Sequence, residues 1–130
     1  MKTHAELDQS TVKECAFASD FFNQLSKKWT MPVIHAMGLK PNARFNELKR
    51  MIEGISSACL SDRLMDLEKT GVIIRRVYPE TPPRVEYNLS DKGQELRAHL
   101  DSLVEWVRKN KETVMSRETA EKRQSYASVR

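Results

Sequence analysis

The chain is short of the residues that build reactive or cross-linked sites. Among its 130 residues are two cysteines, three histidines and four glycines. Cys15 and Cys59 form no CxxC pair, and His4, His35 and His99 fall at no ligand interval. A structural zinc site and a disulfide framework are therefore not expected. No GxSxG elbow or glycine-rich phosphate loop occurs, and the carboxylates sit beside basic residues, as in "DRLMDLEK", like a solvated helix face. His35, inside "MPVIHAMG", reads as a helix residue rather than a base. No catalytic constellation, metal or cofactor is expected. No apolar run approaches the ~20 residues that span a bilayer. The opening "MKTHAELDQSTVKE" lacks a hydrophobic stretch like that of a signal peptide, so a cytoplasmic protein without a membrane partner is expected.

Excess positive charge is also scarce. The formal net charge is +4, and residues 108–130 hold all of it, with seven basic residues against three glutamates. The rest of the chain is formally neutral. Affinity for nucleic acid must therefore rest on local clusters such as Lys27-Lys28, Lys49-Arg50 and Arg75-Arg76.

What is present is one domain's worth of amphipathic pattern, with 39% apolar and 31% charged residues. We divide it into an N-terminal arm (1–14), a domain with dimerisation helices (15–110) and a polar basic tail (111–130) expected to fray. "FASDFFNQLSKKW" (17–29) places Phe17, Phe21 and Leu25 at helical spacing, with Phe22 beside them. "TMPVIHAMG" predicts a helix capped by Thr30 and ended by Gly38. "LKPNA" reads as a connector, and "RFNELKRMIEG" as a helix with Phe45, Leu48 and Ile52 inward.

"GISSACLSDRLMDLEKTG" follows, with Ser56 as N-cap, a stripe of Leu60, Leu64 and Leu67, and Gly71 past the end. Two helices joined by "EGIS" make a helix-turn-helix candidate. "VIIRRVY" and "RVEYNLS" are β-rich, the second alternating Val85, Tyr87 and Leu89 inward with Arg84, Glu86 and Asn88 outward. "PETPP" between them predicts a stiff protruding loop. The order is that of a winged helix-turn-helix, mainly α with a small antiparallel β-ribbon.

The last helix, from Ser90 or Asp91, carries Leu96, Leu100, Leu103 and Val107, widened by Val104 and Trp106. That apolar arc exceeds the roughly 100° stripe of a surface helix and points to a dimer interface. Phe17, Phe21, Phe22 and Trp106 form core more readily than a ligand pocket.

Small residues and hydroxyls at a helix start suit close approach to base edges in the major groove, which makes Ser57, Ala58 and Ser61 candidate DNA contacts. Asp66 is expected to turn away and pair with Arg63 or Lys69. Arg63 reads equally as a snorkelling structural arginine or a flanking phosphate contact. Arg84, after Pro82-Pro83, is the wing's candidate for minor groove or phosphate, and Lys28, Arg44 and Lys49 are candidates for the backbone.

These segments resemble the HxlR-type transcriptional regulators, winged-helix relatives of the MarR group. The match is carried by "KKWTMPVI" and by "RFNELKRMIEGISSACLSDRLMDLEKTGVIIRRVYPETPPRVEYNLSDKG", over roughly residues 15–107. The resemblance implies a homodimer formed by first and last helices, through Phe17, Phe21, Leu100, Leu103, Trp106 and Val107. It implies double-stranded DNA as partner, with a near-palindromic operator. Repression by occupying a promoter is the expected mode of action, and activation is compatible with the same surface. It maps the start of the recognition helix onto Ser56, Ser57, Ala58 and Ser61, and the wing onto Pro83 and Arg84. Ala58 stands where a longer polar or basic residue is common. Several members sense oxidants or electrophiles through a cysteine before the first helix, here matched by Cys15, followed by Ala16 where the family has proline. A small-molecule signal is the other option. The alternative from a different class is a winged-helix module that binds another protein.

Overall fold

The computed structural model describes residues 4–114. Their elements, in order, are α1 (His4–Phe17), α2 (Ser19–Leu25), α3 (Thr30–Leu39), α4 (Phe45–Met51), α5 (Ser57–Lys69), β1 (Ile73–Tyr78), β2 (Arg84–Leu89), α6 (Asp91–Lys109) and α7 (Lys111–Val114). β1 and β2 pair antiparallel, from Ile73 opposite Leu89 to Tyr78 opposite Arg84. The expected winged helix-turn-helix order is present. The tail expected at 111–130 is helical through Val114, and its remainder lies outside the described residues.

α3 is the hub. Thr30, Val33, Ile34, Ala36 and Met37 are buried on it, and it touches α2, α4, α5, α6 and β2. A helix buried on so many sides is enclosed by its neighbours rather than laid on a surface. Around it close Leu48 of α4, Leu60, Leu64 and Leu67 of α5, Val72, and Ile73, Tyr87 and Leu89 of the ribbon. Each fully buried leucine contributes roughly 1.5–3 kcal/mol relative to exposure.

Several local expectations need correction. The single helix expected over 17–29 is broken. α1 closes at Phe17, α2 runs only to Leu25, and Trp29 adopts a left-handed φ of 77°. Thr30 is not a cap. It is buried as the first residue of α3, and its Oγ1 donates to the Gln24 carbonyl at 3.2 Å. Gly38 lies inside α3, which continues to Leu39, and the Arg97 side chain of α6 crosses directly over it. The glycine there is a packing device, not a stop signal. Ile52 is buried just beyond α4. "LKPNA" does more than connect, because Ala43 forms a bridge to Tyr87, with N···O distances of 2.8 and 3.2 Å.

The ribbon and α6 are locked by Ser90. Its Oγ accepts from the Gly93 N–H at 3.1 Å and donates toward the Gly71 and Val72 carbonyls. Gly93 is required by this approach, since a Cβ there would lie 2.1 Å from the Val72 carbonyl oxygen.

Candidate nucleic-acid interface

α5 starts as its sequence predicts. Ser56 has extended backbone, and its Oγ accepts the Cys59 N–H at 3.0 Å. This satisfies one of the open donors of the first turn. The hydroxyl hydrogen of Ser56 remains available to donate outward. Leu60, Leu64 and Leu67 anchor the inner face, and Cys59 packs half-buried against the same core. Outward stand Ser57, Ala58, Ser61, Asp62 and Met65, all exposed. The exposed cation of α5, Lys69, stands only in its last turn. The turn before α5 is tight, with Gly54 at φ 89° facing the Trp29 ring, a conformation that favours glycine.

Asp66 is turned away as expected. It pairs with Arg63 Nη2 at 3.5 Å and, across the fold, with Lys27 Nζ at 3.4 Å. The Arg63 side chain keeps only 15% of its surface exposed.

The wing is the β1–β2 ribbon with its loop at residues 79–83. Pro83 is exposed. Arg84 does not project freely. Its guanidinium lies 4.1 Å over the Tyr78 ring, with Nη2 3.4 Å from Glu80 and Nε 3.5 Å from Glu86. Arg75 and Arg76 are exposed on β1.

The remaining basic candidates lie apart. Lys28 is exposed, its Nζ 5.3 Å from the Trp29 ring centre. Lys49 is exposed on α4. Arg44 precedes α4, and its N–H donates to Glu47 Oε1 at 3.1 Å. Glu47 also pairs with Lys40. The Lys40 ammonium, and then the Arg44 amide, hold the Glu47 carboxyl below its usual 4.5.

One grouping joins α4 to the wing. Arg44, Arg50, Pro83 and Arg84 line an open cleft of about 570 Å³, with Phe45 and Val85 as its apolar wall. Lys28 and Lys49 are not part of it. Sequence reading noticed Arg50 only as the neighbour of Lys49. Its three-residue spacing from Arg44 through Glu47 is the signal that places it on the same side of α4.

The HxlR-like helix-turn-helix profile matches residues 24–115, taking in the hub, both helices of the motif, the wing and α6. The chain belongs to the HxlR-like helix-turn-helix family. It is 43% identical over 83 residues to the HTH-type transcriptional regulator BH0655 of Halalkalibacterium halodurans, covering 64% of this chain and 74% of that one. It is 36% identical over 93 residues to the HTH-type transcriptional regulator YodB of Bacillus subtilis, covering 72% and 82%. The solved structure of reduced YodB superposes with a TM-score of 0.63 at 35% identity, over 72% of this chain and 90% of that one. That of the redox regulator HypR in its reduced form gives 0.68 at 29% identity, over 75% and 95%. The chain is thus a member of a transcriptional-regulator family with a DNA-binding helix-turn-helix fold, and these relatives are regulators rather than enzymes.

Away from the DNA-binding elements, this HxlR-like chain leaves apolar surface uncovered. On α6, Leu103 is 50% and Trp106 55% exposed, and Val104 and Val107 are exposed beside them. Leu100 and Phe21 are half-buried, while the side chain of Phe17 lies outside the described ones. A concavity of about 310 Å³ separates α3 from α6, walled by Met31, Ile34, Leu100 and Val104, with His35, Arg97 and Asp101 as its polar members. Phe21, Phe22 and Trp106 do not line it. His35 Nδ1 lies 3.1 Å from Asp101. Cys15 is exposed on α1. Among the described residues there is no metal-ligating cluster and no helix long and apolar enough to cross a membrane.

Proposed function

We propose that this regulator binds double-stranded DNA as a homodimer and represses by occupying a near-palindromic operator in a cytoplasmic setting. The observation that carries the reading is the exposed face of α5, where Ser57, Ala58 and Ser61 stand clear beyond the Ser56 cap. The leucine stripe behind it fixes the helix axis, so the face can enter a major groove without displacing a long side chain. Ser56, Ser57 and Ser61 offer hydroxyls to bases or phosphates, and Ala58 offers a methyl contact. Pro83 and Arg84 carry the wing toward the flanking groove or backbone. Lys28, Arg44 and Lys49 approach phosphate, and Arg63 supports the helix from behind.

The dimer forms through α1–α2 and α6, and the functional unit comprises residues 15–110. Its support is the uncovered apolar face of α6 together with Phe21, surface of a kind that marks an interaction site. Two α5 helices then reach successive major grooves about 34 Å apart.

The signal is an oxidant or electrophile that acts on Cys15. The solvent exposure of this thiol, the redox regulator HypR, and the existence of reduced and diamide-treated forms of YodB support that assignment.

A protein-binding role has one observation in its favour, the exposure of Ile74 and Val77 on β1. Fluorescence anisotropy with the DNA flanking the coding region, across a salt series, separates the two. Sequence-selective binding that Ser61→Ala weakens supports operator reading. Affinity equal to that for random duplex, from a monomer in solution, sinks it in favour of the protein-binding role. Cys15→Ser protein that still loses DNA under diamide removes the Cys15 switch.

A further inference from the structure

We propose that the cleft between α4 and the wing is a seat for the DNA backbone. In it Arg44 and Arg50 bind phosphate, while the third cation, Arg84, is held in check by Glu80 and Glu86. The inference rests on the DNA-binding reading and adds Arg50 and the two glutamates to it.

The need for such a seat follows from charge. The first turns of the outward face of α5 present Ser57, Ala58, Ser61, Asp62 and Met65, with one carboxylate and no cation, and the one exposed cation of the helix, Lys69, stands in its last turn. The chain before residue 108 is formally neutral. Phosphate neutralisation supplies most sequence-independent affinity for DNA, so it must come from beside the reading helix.

The cleft is where the fold gathers cations. The Ala43–Tyr87 bridge sets the start of α4 against β2, and Arg44, Arg50 and Arg84 line the gap. Arg44 and Arg50 are exposed, and neither has an ion-pair partner among the described residues. Glu47 is the one acid lining the cleft, and it is occupied by Lys40 and the Arg44 N–H. With α5 in a major groove and the wing at the adjoining groove, the strand dividing the two grooves runs between α4 and the wing. A guanidinium forms bidentate bonds with phosphate oxygens.

Arg84 differs from the other two. It is 32% exposed, stacked on Tyr78 and flanked by two carboxylates. Phosphate approaching it meets the repulsion of Glu80 and Glu86. Neutralising either acid should therefore strengthen DNA binding.

The test is anisotropy of the full chain on a duplex that the wild type selects from a random library, and on an unselected duplex, over about 50 to about 200 mM salt. Each phosphate that is no longer neutralised lowers the slope of log affinity against log salt by about 0.9. Arg44→Ala with Arg50→Ala should flatten it by about two per protomer. Arg50→Lys should keep the wild-type slope, and so should Arg108→Ala at the far end of α6. Glu86→Gln and Glu80→Gln should each tighten binding to both duplexes alike, because phosphate contacts carry no sequence information.

An unchanged slope in a double variant with wild-type circular dichroism overturns the seat. So does unchanged or weaker binding by both glutamine variants. If the wild type selects no sequence yet the double variant flattens the slope on the unselected duplex, operator reading falls and the seat stands. A wild type that binds neither duplex at low salt overturns both.

Discussion

The stretch from α3 to β2 and the surface offered by α6 obey different rules. In the first, Val33, Ile34 and Met37 of α3, the inner face of α5 at Leu60, Leu64 and Leu67, and Leu89 of β2 belong to one buried core. In the second, Leu103, Val104, Trp106 and Val107 stand in a row at 39–55% exposure. One stretch completes its own core, and the other leaves its apolar row uncovered. Fold integrity and assembly should therefore be separable by mutation.

The largest stability effect should come from the first stretch. Leu64→Ala removes a side chain only 3% exposed from the middle of the α5 stripe, and truncation of this kind costs about 2–5 kcal/mol. Chemical denaturation should show a lower midpoint with an unchanged slope, and DNA binding should fall with the folded fraction. A loss under about 1 kcal/mol would mean that the site collapses around the gap, and that this stretch is loosely packed.

Trp106→Glu sharpens the comparison from the other side. It places a charge in the apolar row without touching the α3–β2 core. Sedimentation should report a monomer with wild-type circular dichroism. Affinity for a two-half-site duplex should fall about 100-fold or more, while that for a single half-site is kept, because the second site is then no longer bound intramolecularly. An intact dimer would move the interface away from α6.

How far the sequence disclosed this division depends on the range of the forces at each place. The start of α5 was legible because a serine cap, a leucine repeat and a trailing glycine act within a few residues of one another, and Ser56, Leu60, Leu64 and Leu67 stand where the pattern puts them. The ribbon and the Ser90 start of α6 were legible for the same reason. Trp29 was not. Its left-handed backbone breaks an apolar periodicity that continues through it, and the ring finds its place against Gly54, 25 positions on. Gly38 misled because its partner, Arg97, lies in another helix. Ala43 gave no strand signal, since a single bridge to Tyr87 has no period. In the candidate site, the serines could be read locally. The meeting of Arg50 with Arg84 is a product of that same bridge and has no local signature.

A smaller effect separates two adjacent serines. Ser56→Ala removes the acceptor for the Cys59 N–H and should cost about 0.5–2 kcal/mol, seen as a lower thermal midpoint. Ser57→Ala removes the hydroxyl of an exposed residue that takes no part in the cap. It should leave the midpoint within about 0.5 kcal/mol of wild type and change only DNA affinity. If both variants lost stability equally, the cap would not be the special feature of this helix start.

The smallest expected effect lies at Glu47 and depends on pH. Lys40 and the Arg44 amide favour its charged form, so its folded carboxyl titrates below the usual 4.5. A depressed folded value means that the unfolded chain binds the proton first as pH falls. The stabilisation is therefore complete above the ordinary carboxylate range and is lost as pH drops through the folded value. Glu47→Gln removes the charge at every pH. Its thermal midpoint should lie below wild type at about pH 7, and the gap should close as acid protonates the native Glu47. The gap should also shrink with added salt, because the pair is open to solvent. A difference that persisted unchanged at about pH 3 would assign the contribution of Glu47 to side-chain packing beside Lys40 rather than to its charge.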